Sequence, residues 1–339
     1  MICKNCGAAN DKREKFCGQC HAALSLPAKG GAGEVKPSSD YTVISDRNIF
    51  PENIINGRFK IIKVLDRGGM GEVFLAEDNN SKGKVAIKSI SSDWLHDRYA
   101  QARFQHEARA VSLLNHPNIC AIYEIAEEKD REYIVMQYVD GVTLDQLQKM
   151  KPLTPGHIVD IALQIAEGMI AAQEQHIVHL DIKSGNIMID KSGKVKILDF
   201  GLAEFRPRKT ADRKTRRPEP GQSENGVVMG TVSYMSPEQV EGRDLDGRSD
   251  IFSFGVVLVE LLERKNPFSD RDNIITQYNI LHKEIKLGRD VPEALQKIVL
   301  KTLHKDRKRR YNDFREVKKD LITARVSLAR IPAAKSRKS

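Results

Sequence analysis

The chain has 339 residues, of which 40% are hydrophobic and 30% charged, and a formal net charge of +9 at pH 7. That balance excludes a disordered or fibrous chain and leaves room for about two globular domains. No apolar run reaches the roughly 18 residues of a bilayer span, and Met1-Ile2-Cys3-Lys4 opens no secretory signal, so no membrane partner and a cytoplasmic location are expected.

The positive charge is local. Residues 301–339 hold 14 Lys and Arg against 4 Asp and Glu, and residues 206–217 hold 7 against 1. A nucleic-acid reading is confined to those two segments, and few aromatic residues lie among their charges for bases to stack on. Nucleic acid is therefore not expected as the main ligand.

In chain order, residues 1–21 form a Cys-rich head. Cys3-x-x-Cys6 and Cys17-x-x-Cys20 lie ten residues apart. With no export signal the thiols should stay reduced, and two such knuckles place four thiolates for tetrahedral Zn²⁺. The segment resembles a short zinc ribbon, a structural site whose metal supplies the folding energy that so small a core lacks. A redox dithiol pair is the alternative. A protein partner is one candidate ligand for the ribbon. Residues 22–52, with AKGGAGEVKPSSD, read as a flexible linker.

From about Arg58 the pattern changes. FKIIKVL, EVFLAE and KVAIKSI read as strands, the first two joined by a Gly-rich turn. Residues 98–114 read as a helix, because Phe104, Ala108 and Val111 share one face. CAIYEIAEE and REYIVMQYV read as two further strands, and Cys120 beside them as buried core. From about Thr143 helical patterns dominate, interrupted by the short strands NIMID and KVKILDF. Strands first and helices second predict an α+β protein of two lobes. The tail from 325 to 339 is basic and is expected to be disordered.

Three groups of residues carry chemistry. Gly68, Gly69 and Gly71 between two strands let backbone N–H groups approach a phosphate, or simply close a hairpin. Lys88 within a strand needs an anionic partner, which Glu107 on the next helix could supply; a surface Lys and an unrelated Glu is the plainer reading. The most specific group is His179-Leu180-Asp181-Ile182-Lys183-Ser184-Gly185-Asn186, followed 13 residues later by Asp199-Phe200-Gly201. It gathers metal ligands, a cation and a carboxylate, the set that phosphoryl transfer requires.

On these residues the chain from about Arg58 to Leu321 resembles a eukaryotic-like Ser/Thr protein kinase of the sort common in bacteria. Ser236-Pro237-Glu238, Asp250 and Arg310 match later positions of the same family. The resemblance implies a two-lobed kinase fold over 53–324. Its N-lobe, an antiparallel sheet plus one helix, covers about 53–138, and its mainly helical C-lobe about 142–324. It implies ATP with Mg²⁺ or Mn²⁺ as cofactors, and protein Ser/Thr hydroxyls, the chain's own included, as acceptors.

It also implies roles. Lys88, paired with Glu107, holds phosphates; Asp181 is the catalytic base; Lys183 neutralises the transferred phosphoryl group; Asn186 and Asp199 hold Mg²⁺. Val73, Ala86 and Met188 enclose the adenine, Met136 is the gatekeeper, and Gln137 to Val139 form the hinge. Such kinases often pair through their small lobes, so a homodimer is open. A scaffold that binds partners through the same fold without transferring phosphate is the alternative.

The chain departs from the family at two positions. Asp66 stands where the phosphate loop has its first glycine, either repelling ATP or facing solvent. Leu180 replaces an Arg that in many members receives an activation-loop phosphate, so that switch is absent. The basic stretch within 201–230 reads as a solvated loop or as a docking strip. Thr210, Thr215 and Ser223 lie in it as candidate autophosphorylation sites, and Thr231 after it should bond near Asp181 and Lys183.

Overall fold

The computed structural model describes residues 54–68, 71–89, 112, 114–128, 131–150, 152–200 and 232–329, all within one compact unit spanning 50–339. The four N-terminal cysteines, the linker, Gly69, Glu107 with nearly all of the helix expected at 98–114, and the segment 201–231 lie outside the described residues.

Six strands form an antiparallel sheet: β1 (Ile54–Ile55), β2 (Phe59–Gly68), β3 (Gly71–Asp78), β4 (Lys84–Ser89), β5 (Ile122–Glu128) and β6 (Arg131–Gln137), in the order β1-β2-β3-β4-β6-β5. Strand β4 is central and buried along nearly its whole length, which suits its Val-Ala-Ile run. The two edges of the sheet are joined by side chains. Arg58, between β1 and β2, donates Nε and Nη2 to Asp78 at 2.7 and 2.9 Å and Nη1 to Glu124 on β5 at 2.8 Å. The backbone N–H of Asn56 donates to Glu128 on the same strand at 3.0 Å. The guanidinium beside it holds Asp78 well below the usual carboxylate range.

After residues 137–139 comes a second sheet, β7 (Gly141–Thr143), β8 (Ile187–Asp190) and β9 (Val195–Ile197), also antiparallel. Strand β7 has no counterpart in the sequence reading, because three residues carry no periodicity. A Cβ on Gly141 would collide with the Ile189 backbone, so only glycine lets β7 approach β8 this closely. The helices are α1 (Leu144–Met150), α2 (Pro155–Glu174), α3 (Pro237–Val240), α4 (Gly247–Glu263), α5 (Asn273–His282), α6 (Glu293–Thr302) and α7 (Phe314–Ala329).

Helix α2 starts where Thr154 caps the His157 N–H and Pro155 presets the first turn. Helix α4 starts at Asp246, which caps Arg248, and every residue from Ser249 to Leu261 is buried. A helix buried on all sides is the centre of a core rather than its cover. Around it, α2, α6 and α7 bury Ile161, Ile165, Val299, Phe314 and Leu321.

Two sequence expectations are corrected. Leu114 is buried but lies outside any helix, so the helix expected to reach it ends earlier. The boundary at 324 is also too early, since α7 runs through Ala329. Its last turns hold because Arg325 pairs with Asp160 at 3.1 Å and Leu328 packs on the core. Arg325 reads as part of a tail only while its partner Asp160 in α2 is invisible. Among the described residues no helix is long and apolar enough to cross a membrane.

Candidate active site

Strands β2 and β3 form a hairpin whose tip brings Gly68 opposite Gly71. Behind the tip, Asp66 pairs in register with Val73, and Val73 with Lys88. Asp66 is exposed, and its carboxylate accepts from the Arg67 N–H at 2.9 Å. Of the two readings of this position, solvent exposure is the one the geometry matches. Ala86 lies between Leu75 and Met136 in the ladder, so a small residue sits at the centre of the sheet beside the strand that ends at Gln137. The backbone of Gln137 donates to Ala121 O at 2.9 Å, and its carbonyl accepts from the Cys120 thiol at 3.4 Å. Burial pushes that thiol up to about 12, as expected of a core cysteine. Val139 is buried, and Met188 on β8 faces Thr143 and Lys196 in register.

Lys88 is buried, and its Nζ meets Asp199 Oδ2 at 2.9 Å. Burial opposes ionisation of Asp199, but the Lys88 ammonium, with Lys183 adding to it, overcomes it and holds the carboxyl below its ordinary range. Asp199 is thus a carboxylate at neutral pH and the counter-ion of Lys88.

The loop from His179 to Asn186 orients the second carboxylate. Lys183 Nζ donates to Asp181 Oδ2 at 2.7 Å, and Asn186 Nδ2 donates to the same oxygen and to the Asp181 carbonyl, both at 2.9 Å. The Leu198 N–H donates to Asn186 O at 2.8 Å, which ties this loop to the chain entering Asp199. Lys88, Asp199, Lys183, Asp181 and Asn186 are therefore linked by direct contacts and one backbone bond.

Buried groups from distant segments fix the loop. His179 is enclosed, and burial lowers its pKa, so the ring is neutral. Its Nε2 lies 2.9 Å from Leu198 O, which can only accept, so Nε2 carries the proton and Nδ1 accepts from the Asp181 N–H at 3.2 Å. Phe200 packs on the ring at 4.5 Å. Asp250, in the first turn of α4, accepts from the backbone N–H groups of His179 and Leu180 at 2.8 and 2.7 Å. Burial pushes its carboxyl up to about 7 against those two bonds. Leu180 is held at φ +62°, a conformation uncommon for a branched side chain, and Gln239 donates to its carbonyl at 3.0 Å. Sequence reasoning matched Asp250 to a late family position without assigning it this contact, and it did not single out Gln239.

Among the described residues no three His, Cys, Asp or Glu cluster as a metal cage. The donors that do fit a hard divalent ion are the side-chain oxygen of Asn186, whose Nδ2 is committed to Asp181, and the Asp199 carboxylate. Two such oxygens suit Mg²⁺, which takes one or two protein ligands and completes its shell with phosphate and water.

The protein kinase domain profile matches residues 59–321. The chain is 38% identical over 275 residues to the serine/threonine-protein kinase PrkC of Bacillus subtilis, covering 80% of this chain and 41% of that protein. It is 35% identical over 277 residues to the probable serine/threonine-protein kinase PknB of Lactococcus lactis, covering 80% and 42%. It is 34% identical over 290 residues to the serine/threonine-protein kinase pkn2 of Myxococcus xanthus, covering 81% and 33%. The chain thus spans less than half the length of these relatives.

Proposed function

Since the chain belongs to the protein kinase domain family, we propose that it transfers the γ-phosphoryl group of ATP to Ser and Thr hydroxyls of proteins, its own included. The observation that carries this reading is the linked set of Lys88, Asp199, Asp181, Lys183 and Asn186. A scaffold without transfer has no need of such convergence.

Each residue has work to do in the reaction. Gly68, Gly69 and Gly71 bring backbone N–H groups to the phosphates. Val73, Ala86 and Met188 enclose the adenine, and Met136 with Gln137 to Val139 borders its edge. Lys88, supported by Glu107, balances phosphate charge. Asp181 has Oδ2 committed to Lys183 and Asn186, which leaves Oδ1 to accept the acceptor hydroxyl's proton. The new bond joins that hydroxyl oxygen to the γ-phosphorus, the bond to the β-phosphate oxygen breaks, and ADP leaves. Lys183 balances charge on the moving group. Mg²⁺ or Mn²⁺, when bound on Asn186 and Asp199, neutralises phosphate oxygens and keeps them aligned.

Phosphosite mapping after incubation of the full chain with Mg-ATP tests this reading. Phosphate on Ser or Thr, Thr210, Thr215 and Ser223 among them, is expected; phosphotyrosine alone or no phosphate refutes it. Leu180 supplies no cation at its own position for a loop phosphate to engage, so phosphatase treatment should change turnover less than about tenfold. A loss of two orders of magnitude would overturn that expectation.

For the head we propose a structural zinc on Cys3, Cys6, Cys17 and Cys20. One Zn²⁺ per chain is expected by elemental analysis, lost in Cys3→Ser. Absence of zinc together with an oxidised thiol pair would favour redox chemistry instead.

A further inference from the structure

One buried carboxylate joins the catalytic loop to the segment that follows residues 201–231. Glu260, in the last turn of α4, is 8% exposed. Ser184 Oγ donates to its Oε2 at 2.5 Å. The Tyr234 hydroxyl lies 2.8 and 2.7 Å from its two oxygens, and Asn266 Nδ2 donates to Oε1 at 3.0 Å. Gln148 Nε2 on α1 reaches Ser184 Oγ at 3.4 Å. Tyr234 is fixed to α4 a second time, since Ser253 Oγ donates to its carbonyl at 2.7 Å.

The place of Ser184 gives this cluster its meaning. It opens the short turn Ser184–Asn186, which has no side-chain cap of its own. Lys183 precedes that turn and Asn186 ends it, and both hold the Asp181 carboxylate. Gly185 has no side chain, so within the turn the bond from Ser184 to Glu260 is what fixes the turn to α4. Hydrogen bonds to a buried carboxyl group are costly to leave unmade, and a network sharing one acceptor responds as a unit. With Leu180 unable to take a loop phosphate, a second route from the loop toward Asp181 lies through Tyr234, Glu260 and Ser184.

We propose that Glu260 is a positioning residue, for the reaction proposed above, that transmits the placement of the 232–234 turn to Asp181 and Asn186 through Ser184. This rests on the kinase reading for its consequence but not for its geometry, and the experiment separates the two. Amide exchange is followed at Asn186 and Met235, whose N–H groups bond Lys183 O and Val232 O within the two turns. In Glu260→Gln both amides should exchange about tenfold faster. In Tyr234→Phe the Asn186 amide, on the far side of Glu260, should also speed up by at least about threefold. Acceleration confined to Met235 would overturn the proposal.

Kinetics adds a second arm. Ser184→Ala should lower kcat about tenfold with the ATP KM within about twofold, and Ser184→Thr should restore most of it. Unchanged kcat in Ser184→Ala, even with a lowered Tm, would reduce Ser184 to a structural bond and refute the positioning role. A wild-type chain with no turnover would remove the proposed activity, while the exchange data would still decide the coupling.

Discussion

Asp181→Asn should lower kcat for peptide phosphorylation by about 10²–10⁴-fold, the usual contribution of a positioned proton acceptor. The side chains are nearly the same size, and an Asn carbonyl can still accept from Asn186 Nδ2, so Tm should move by only a few degrees. The lost functions are proton acceptance and the ionic hold on Lys183, which now donates to a carboxylate at 2.7 Å. Labelled-ATP autophosphorylation of both proteins, side by side, provides the measurement. Equal incorporation would mean that the transferring site lies elsewhere or that the label comes from a contaminant.

The largest expected effect on stability is at Arg310. Its guanidinium donates to Glu238 at 2.7 and 2.9 Å, and further to the carbonyls of His304, Arg248 and Lys305. Both side chains are essentially inaccessible, at 0% and 2%. Burial alone would raise the Glu238 pKa, yet the Arg310 bonds bring it below the ordinary value. Arg310→Ala leaves that carboxylate enclosed with the Ser249 hydroxyl as its remaining side-chain donor. Breaking a buried pair from one side costs about 3–5 kcal/mol, which for a domain of this size is about 10 °C in Tm. Calorimetry or a thermal melt reads it directly. The double variant Arg310→Met with Glu238→Leu should recover much of the loss, because no buried charge is then stranded. A single variant melting within 2 °C of wild type would show that the pair is not what holds α3 in place.

The parts of the site that were legible in the sequence are those encoded by near neighbours. Asp181, Lys183 and Asn186 lie within six residues, and Asp199 follows 13 later, so their spacing survives in the chain itself. The strands were legible because β-branched runs alternate around turn residues. What stayed hidden depends on contacts across long separations. Asp250 lies 70 residues from the Leu180 N–H it accepts from, and Glu260 lies 76 from Ser184. The motif around Asp250 marks the residue but not its contacts, and nothing local marks Glu260, because a polar residue in an apolar helix can equally face water. The continuation of α7 past residue 324 was hidden for the same reason, since Asp160, the partner of Arg325, lies far back in α2. The zinc head and Glu107 lie outside the described residues and stand as sequence readings.

The bridges from Arg58 and Asn56 to β5 have a consequence for self-association. An open sheet offers unpaired N–H and C=O groups at its margins, and a second chain can add a strand there. Here Arg58 reaches across to Glu124, and Asn56 to Glu128, so the margins of the sheet are latched to one another. The family match starts at residue 59, one position after the latch. A polypeptide trimmed to the matched region would lose β1 and Arg58 together, bare the β2 margin that β1 pairs with, and gain a template for aggregation that the longer chain keeps covered.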